Sequence, residues 1–186
     1  MTDFNSANGY IIMGNEFLKM INTRRSCRKY RKEQITDEEL NAILEAGTYA
    51  PTGMGQQSPY IVAVQNPEMK AQLERMNAAV RGLSGNPYYD APTYILVFAP
   101  LDCRFAIQDG TCVLENMMLA AHALGVSSCW INREIEMFAT EEGKQLMEKM
   151  GLPDGLGGIG AISVGYAAVE PAEPKPRKEG YARIIR

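Results

Sequence analysis

The sequence predicts a single domain in which a β-sheet is covered by helices on both faces. Segments with a helical apolar stripe alternate along the chain with short β-rich segments, and this alternation is typical of a sheet layered between helices. The 186 residues are 46% hydrophobic, which is enough apolar material for one sizeable core. No polar linker, repeat or low-complexity segment interrupts the interior, so we expect one domain over residues 1–186.

The clearest helix is predicted over residues 36–46. Thr36 is a favourable cap, Glu39 completes a capping box with it, and Gly47 is expected to end the helix. The segment 113–124 contains a single charge and predicts a helix that is either central to the domain or buried against another subunit. We expect five helices in all, over about 15–22, 36–46, 67–81, 108–124 and 140–149.

Four short segments predict the strands of the sheet. The segment 93–98 is apolar throughout and is expected to be buried on both faces. The glycines within 155–160 are interpreted as a turn before the last strand, not as a phosphate-binding loop. Three prolines among residues 171–176 predict an extended C-terminal arm over 171–186, in addition to an N-terminal extension over 1–14. The predicted strands cover 60–64, 93–98, 126–131 and 161–166.

The residue inventory excludes most catalytic chemistry that depends on protein side chains alone. The four cysteines lack zinc-binding spacing and are interpreted as reduced thiols in or near the core. The single histidine, His122, is interpreted as a helix residue in preference to a catalytic base. No Gly-x-Gly-x-x-Gly motif follows a first strand, as a dinucleotide-binding fold would require, and there is no Walker loop or nucleophile elbow. An enzyme with this inventory would have to take its reactivity from a cofactor.

The sequence also indicates where the protein is expected to work. Its longest apolar stretches are shorter than the roughly 20 residues that span a bilayer. The first residues lack the basic and apolar regions of a secretory signal. We therefore expect a cytoplasmic protein that does not bind membranes.

A cationic segment contrasts with the otherwise acidic chain. Residues 24–32 contain six of the 19 basic side chains, and without these six the chain would carry 13 basic against 22 acidic groups. Such a concentration is more typical of a local anion site than of a general polyanion surface. The side chains of Arg24, Arg25, Ser26 and Arg28 could hold one phosphate and still reach a second group on the same ligand.

A second polar cluster lies between the helix predicted at 36–46 and the strand predicted at 60–64. Residues 50–60 combine proline, glycine, hydroxyl and amide groups, which can offer backbone N–H groups and two side-chain amides to a flat heterocycle. Taken alone, this loop is interpreted equally well as an ordinary connection between a helix and a strand.

Taken together, these segments resemble the FMN-dependent nitroreductase family. The resemblance extends over roughly residues 18–185 and rests on motifs that follow one another in a fixed order. The motifs are Arg24-Arg25-Ser26-x-Arg28, Ala50-Pro51-Thr52-Gly53 with Gln57, Asn116-x-x-Leu119-Ala120-Ala121-x-x-x-Gly125, Ser128-Cys129-Trp130-Ile131, Val164-Gly165-Tyr166 and Lys175-Pro176-Arg177.

The resemblance implies an α+β fold, a three-layer α/β/α sandwich with a mostly antiparallel central sheet. It also implies an obligate homodimer, with FMN at the subunit interface and the C-terminal arm wrapped around the partner. The implied reaction is ping-pong transfer, in which NADH or NADPH delivers a hydride to FMN and a small acceptor, such as a nitroaromatic or a quinone, is then reduced. No side chain need act as a general acid, because solvent can supply protons.

The resemblance further implies which residues hold the phosphate end of FMN. Arg24 would bind the phosphate together with a basic residue of the arm, either Arg177 or Lys178. Arg25 and Ser26 would contact the phosphate, the ribityl chain or the ring edge.

The ring end is implied to be shared between subunits. Arg28 would approach the N1/C2=O edge, where a guanidinium stabilises the negative charge that the ring gains on reduction. Trp130 and Ile131 would give backbone or packing contacts near the flavin, although Trp130 is equally well a core aromatic. The residues expected from the other subunit are Pro51, Thr52, Gly53 and Gln57.

Two departures from the family leave the acceptor open. Many relatives have Asn where this chain has Gly55, and Gln56 or Gln57 could supply the missing contact. The segment between the first two predicted strands is short, which leaves little material for a substrate lid. Tyr88 and Tyr89 within it are interpreted either as surface or core tyrosines or as aromatic contacts to a substrate.

Two alternative functions follow from the same residues. A member of the family could bind FMN and carry out another flavin reaction, such as reductive dehalogenation or flavin breakdown. A protein without enzymatic activity could use residues 24–32 to bind a phospholigand or nucleic acid, but Tyr30 is the only aromatic in that segment. We therefore expect a partner that is a second copy of the chain, and not nucleic acid.

Overall fold

The computed structural model describes residues 15–82 and 84–186, and its centre is a four-stranded antiparallel sheet. The predicted extension over 1–14 lies outside the described residues. The strands are β1 at Tyr60–Val64, β2 at Thr93–Pro100, β3 at Ser127–Ile131 and β4 at Leu156–Gly165. Their order across the sheet is β1-β2-β4-β3, and every adjacent pair is antiparallel. The predicted sheet is therefore confirmed, with β3 at one edge.

All five predicted helices are present within the described residues, and a sixth short one accompanies them. The unpredicted helix has only five residues, too few to show an apolar period, and it follows Arg133 in a left-handed conformation (φ 88°). The helices are α1 at Glu16–Thr23, α2 at Asp37–Thr48, α3 at Pro67–Ala79, α4 at Ala106–Ala123, α5 at Glu134–Phe138 and α6 at Glu141–Lys149.

The helices cover the sheet on both faces and enclose two apolar clusters. One face, called the α4 face, is covered by α2 and α4, with α1 packed against α4, and the other, called the α5 face, is covered by α3, α5 and α6. Strand β2 is buried almost throughout. Because successive side chains of a strand point to opposite faces, Ile95 and Val97 lie in the cluster on the α4 face, and Leu96 and Phe98 lie in the cluster on the α5 face. Helix α4 contacts α2 and three strands, so the prediction of a central helix is confirmed.

Helix α2 begins as predicted but continues beyond its predicted end. The Thr36 side chain accepts the Glu39 N–H, and the Glu39 carboxylate accepts the Thr36 N–H. Gly47 lies inside the helix, where a Cβ would be 2.8 Å from Ile61 and 2.9 Å from Met117. The expectation that Gly47 ends the helix is therefore wrong, because the helix continues to Thr48 and the glycine allows close approach to the side chains of Ile61 and Met117.

The glycine-rich segment at 155–160 is also different from its prediction. Only Gly155 precedes the strand, and the other glycines belong to β4. A Cβ at Gly158 would lie 2.5 Å from the Glu134 carbonyl oxygen, and one at Gly160 would lie 2.9 Å from Leu114. These glycines therefore allow α5 and α4 to approach the sheet closely. The pairing of β4 with β2 shifts register between Val97 and Phe98, as at a β-bulge.

The C-terminal arm over 171–186 is exposed at every residue and forms no helix or strand. The arm follows β4 in the chain, and five of its residues line a cleft together with the segment 24–28. Across residues 15–82 and 84–186, none of the helices has both the length and the hydropathy to cross a membrane.

Candidate functional site

A cationic cleft lies between the segment 24–28 and the C-terminal arm. The cleft encloses about 380 Å³. Five of its side chains carry a positive charge and one, Glu173, carries a negative charge. The lining residues are Arg24, Arg25, Ser26, Arg28, Ala172, Glu173, Pro174, Lys175 and Arg177. The fold therefore brings together the two basic segments that the sequence predicted as a phosphate site.

The segment 24–28 is fixed to the edge of the sheet by backbone hydrogen bonds. Ser26 forms a parallel bridge with Ser128 of β3, and the Cys27 N–H donates to the Ser128 carbonyl at 2.9 Å. Farther along, the Tyr30 hydroxyl donates to the Cys27 carbonyl at 2.8 Å and lies 3.2 Å from the Ser163 carbonyl. The segment extends the sheet beyond β3, so its arginines project from a fixed backbone.

Arg24 follows the last turn of α1 and points an unused donor into the protein. Its backbone N–H donates to the Met20 carbonyl, which fixes the residue at the helix end. Its Nη1 atom is buried and has no hydrogen-bond partner in the described part of the chain. A buried guanidinium nitrogen without a partner is costly, and an anionic ligand in the cleft would satisfy it.

Arg25 differs from Arg24 because its guanidinium is used within the chain. Its Nη1 donates to the Asn22 carbonyl at 2.8 Å and to the Arg24 carbonyl at 2.7 Å. These carbonyls lie at the end of α1, where helix carbonyls lack intrahelical partners. Arg25 therefore braces the turn that presents Arg24 and contributes positive charge to the cleft.

Arg28 lies at the other end of the segment and contacts an aromatic ring. Its guanidinium carbon is 5.8 Å from the centroid of the Tyr89 ring. The Tyr89 side chain is also the main reason that the pKa of the Arg28 guanidinium is raised above its usual value. Tyr88 points into the core and is fully buried. The sequence predicted the same alternatives for Tyr88 and Tyr89, but their environments in the structure are different.

The arm contributes Arg177 to the cleft, and not Lys178. Arg177 lines the cleft and donates from Nη2 to the Lys175 carbonyl at 2.7 Å. Lys178 is exposed and is not among the lining residues. Lys175 also lines the cleft as a further cation. The sequence identified it only as part of the motif Lys175-Pro176-Arg177 and did not predict a contact for it.

The loop of residues 50–57, called the 50–57 loop, is tied to α4 by a buried carboxyl. Asp109 is 4% exposed and accepts the Gly53 N–H at 2.9 Å. A Cβ at Gly53 would overlap the Phe105 ring. The absence of a side chain at Gly53 is thus explained by packing against Phe105, whatever the loop binds.

The rest of the 50–57 loop is a tight turn. The Gln57 N–H donates to the Thr52 hydroxyl at 3.0 Å. Met54 and Gln57 adopt left-handed conformations with φ of 57° and 50°, as does Gly55 at 66°. Left-handed residues other than glycine store strain that surrounding contacts must offset. Met54, Gln56 and Gln57 of this turn are exposed to solvent.

A second cleft of about 440 Å³ is formed by this loop with α2 and β1. Thr52 and Gln57 line it, whereas Pro51 is exposed beside it. It shares no lining residue with the cationic cleft. A single chain therefore does not bring the two predicted sets of residues into one pocket.

Trp130 and Ile131 lie in β3 and point to opposite faces of the sheet. The Trp130 indole N–H donates to the Asn132 side chain at 3.0 Å, and its ring packs over Gly160 on the α4 face. Ile131 is 3% exposed in the cluster on the α5 face. Any contact of Ile131 with a ligand at the cationic cleft must come from its backbone.

The single histidine supports the end of α1. His122 Nε2 is 2.9 Å from the Thr23 hydroxyl, which itself donates to the Lys19 carbonyl at 2.9 Å. Burial, together with the nearby charges of Arg24 and Arg25, lowers the pKa of His122. All four cysteines are free thiols. Among the described residues, no group of three or more His, Cys, Asp or Glu side chains is placed to hold a metal ion.

Asp109 is the residue of this region that the sequence reading missed. It stands at the start of an apolar helix, where an acidic residue is ordinary because it complements the helix dipole. Its partner, Gly53, is 56 residues away. No local pattern could have connected the two.

Comparison with known proteins extends these observations. The sequence model of the Nitroreductase family matches residues 21–84 and 79–166, a range that contains both the segment 24–28 and the 50–57 loop. A relative provisionally named NADH dehydrogenase/NAD(P)H nitroreductase, from Archaeoglobus fulgidus, is 34% identical over 174 residues. The match covers 89% of this chain and 90% of that protein.

Solved structures are similar over nearly the whole chain. A nitroreductase crystal structure with bound FMN from Bacteroides fragilis is 34% identical, has a TM-score of 0.86, and is matched over 92% of this chain and 100% of its own. A second nitroreductase with bound FMN, from Desulfitobacterium hafniense, is 27% identical with a TM-score of 0.82, over 92% of this chain and 99% of its own. The three-layer arrangement described above is the fold of these proteins.

Proposed function

This chain belongs to the nitroreductase family and is an FMN-dependent NAD(P)H oxidoreductase, and we propose that its oxidising substrates are nitroaromatics, quinones or similar small acceptors. When FMN is bound, it supplies the capacity to accept a hydride from NADH or NADPH and to pass electrons to such an acceptor. The chain itself supplies binding, orientation and electrostatics.

The buried, unpartnered Nη1 atom of Arg24 is the observation that carries the proposal. Arg24 lines the cationic cleft, where its side chain is one of five cations beside one carboxylate. A phosphate monoester offers several acceptor oxygens and nearly two negative charges, which matches both the unused donor and the surrounding charge. The residues present therefore fit the phosphate end of FMN, with Arg24 and Arg177 as its direct partners.

Arg28 is proposed to face the pyrimidine edge of the ring. It lines the same cleft as Arg24 but lies four residues farther along a segment that is fixed to β3. Its guanidinium stabilises negative charge that develops on a nearby ring during reduction. Ser26, between the two arginines, is proposed to contact the ribityl chain or the ring edge, and Arg25 to add charge while it braces the turn.

The second half of the ring site is proposed to come from a partner subunit. The 50–57 loop is tied to α4 through Asp109, and its Thr52 and Gln57 line a separate cleft in the same chain. A homodimer in which each loop faces the cationic cleft of the other chain would unite the two predicted sets. Exposed apolar residues on the arm, including Tyr181 and Ile185, which are 84% and 90% exposed, support burial of the arm against that partner.

No side chain of the cationic cleft is proposed to donate a proton during turnover. Apart from Ser26 and Glu173, its polar side chains are guanidinium and ammonium groups, whose proposed role is to bind and orient the ligand. Solvent is the proposed proton source, and the cleft is open enough to admit it.

The proposal is tested by the absorption spectrum of the purified protein. We expect a flavin spectrum as isolated, or after incubation with FMN and removal of the excess, and we expect anaerobic NADH or NADPH to bleach it. Admission of a nitroaromatic or a quinone should restore the oxidised spectrum, whereas a halogenated aromatic serves as a comparison. A protein that stays colourless with excess FMN would overturn the proposal. Recovery only with the halogenated compound would favour reductive dehalogenation.

A further inference from the structure

The turn that leads into β2 has an unusual backbone. Two consecutive residues without the freedom of glycine, Tyr89 and Asp90, adopt left-handed conformations with φ of 60° and 55°. Such conformations are unfavourable for residues with a Cβ, and they persist where surrounding contacts determine them. Their position in the fold, beside the cationic cleft, makes the turn a candidate for a functional role.

The turn is held together first by its own polar groups. The Asn86 side chain accepts the Tyr88 N–H at 2.8 Å and donates to the Asp90 carboxylate at 2.8 Å. The Tyr89 N–H donates to the Asn86 carbonyl at 3.2 Å. One amide side chain therefore spans the whole turn.

The turn is also anchored to the α5 face on both sides of Tyr89. The Tyr88 side chain is fully buried, and its hydroxyl donates to Glu134 at 2.9 Å. The Lys70 ammonium, from α3, donates to the carbonyls of Ala91 at 2.6 Å and Pro92 at 3.0 Å. Because residues before and after Tyr89 are fixed, the backbone from which its ring projects is also fixed.

The Tyr89 ring meets Arg28, which belongs to the segment 24–28. The guanidinium lies 5.8 Å from the ring centroid, within the range of a cation–π contact. Arg28 is otherwise exposed, and Tyr89 is half-buried against the core cluster of the α5 face. A long flexible side chain on one element therefore rests against a fixed ring on another.

We propose that Tyr89 is a positioning residue, which holds the Arg28 guanidinium toward the ring of bound FMN and so raises the affinity for reduced FMN relative to oxidised FMN. The inference rests on the proposed role of Arg28. A guanidinium carries five N–H donors, so contact with one tyrosine leaves further donors for an acceptor on the ligand. It also loses less conformational freedom when it binds, and such preorganised charge is most effective where charge develops.

The test compares the midpoint potential and the FMN dissociation constant in four proteins of the full chain: wild type, Tyr89→Leu, Arg28→Met and the double variant. We expect Tyr89→Leu to lower the preference for reduced over oxidised FMN about threefold to tenfold, where tenfold is about 30 mV for a two-electron couple. In the Arg28→Met background, the same substitution should change the potential no further. Tyr89→Phe, which keeps the ring and the fold, should give a smaller shift in the same direction.

The neighbouring Tyr88→Phe is the matched control. It removes the hydroxyl bond to Glu134 but keeps the buried ring and the bonds from Asn86 and Lys70 that hold the turn, so it should lower thermal stability and leave the potential unchanged. The inference is overturned if Tyr89→Leu leaves the potential unchanged while Arg28→Met lowers it, or if Tyr89→Leu has equal effects in both backgrounds. If Arg28→Met retains FMN with an unchanged potential, the proposed role of Arg28 fails together with the inference. Failure of the wild type to bind FMN contradicts the proposed function itself.

Discussion

The two faces of the sheet each bury one carboxyl group, and the two groups have different kinds of partner. On the α4 face, Asp109 is 4% exposed and accepts the backbone N–H of Gly53 at 2.9 Å. On the α5 face, Glu134 is 1% exposed and accepts from the Tyr88 hydroxyl at 2.9 Å and the Asn77 amide at 3.2 Å. In the described part of the chain, each carboxyl has one oxygen without a hydrogen-bond partner.

The difference indicates that Asp109 holds a loop of the candidate site, whereas Glu134 makes the stability of the fold depend on pH. Asp109 fixes a loop that contains predicted FMN contacts. The partners of Glu134 belong to the core and to the turn before β2. Burial raises the pKa of Glu134 to about 7, because hydrogen bonds and the charge of Arg133 offset only part of the desolvation.

The largest expected effect is on stability, at Glu134. Its carboxyl binds a proton at about pH 7 in the folded protein but near 4.5 in the unfolded chain. Between these values the folded state holds more protons, so the free energy of unfolding falls as pH rises, by about 3 kcal/mol in total. Glu134→Gln should remove this fall, and urea denaturation at pH 5 and pH 8 measures it.

Glu136→Gln is the matched control for this experiment. Glu136 is exposed on the same short helix, so its substitution should leave the pH dependence of stability unchanged. A pH dependence of stability that is the same in Glu134→Gln as in the wild type would contradict the assignment. The FMN dissociation constant at a fixed pH should be the same in both variants, because neither residue lines a cleft.

The next largest effect is expected at Arg24, and on binding instead of stability. Arg24→Ala removes the unpartnered donor and one charge-assisted phosphate contact, worth about 1.5–3 kcal/mol. The FMN dissociation constant should therefore rise roughly 10- to 100-fold, as measured by fluorescence titration. Arg81→Ala, at an exposed arginine outside the cleft, should leave it unchanged. A similar FMN affinity in both variants would refute the phosphate assignment.

A third effect, on the local stability of the 50–57 loop, is expected at Asp109 on the α4 face. Asp109→Ala leaves the Gly53 N–H without its partner, which costs about 1–3 kcal/mol in local stability. Hydrogen exchange in the 50–57 loop should become faster, and FMN affinity should fall in the same variant. Asp109→Asn keeps an acceptor oxygen and should be milder, whereas Asp154→Ala, at an exposed turn residue, should do neither. Unchanged exchange at Gly53 in Asp109→Ala would show that Asp109 does not hold the loop.

The smallest effect is expected at the start of α2. Thr36→Ala removes half of the capping box and should cost about 1 kcal/mol of stability. Because the cap lies at the opposite end of α2 from the 50–57 loop, FMN affinity should not change. Denaturant midpoints and FMN titrations together test this separation, and a weakened affinity would indicate that α2 transmits strain to the loop.

Patterns within short segments predicted most elements of this fold. The apolar periods predicted all helices but α5, and the capping box at Thr36 and Glu39 is present. Prediction failed where the reason for a residue lies in another element. The sequence predicted Gly47 as the end of a helix and Gly158 as part of a turn. Both instead lie inside elements, at points where side chains or backbone of distant segments approach closely. A sequence does not show such contacts locally.

The candidate site shows the same division between features that local patterns predicted and features that only tertiary packing determined. The cluster at Arg24 and Arg28 was visible in the sequence because charge density is a local property, and its assignment to FMN stays a prediction, as does the homodimer. Tertiary folding alone placed Tyr89 against Arg28 and Asp109 beneath Gly53, and it alone decided that Arg177, not Lys178, lines the cleft with Arg24. Each of these pairs is separated by more than 50 residues, and only packing of the layers against the sheet brings them within contact distance.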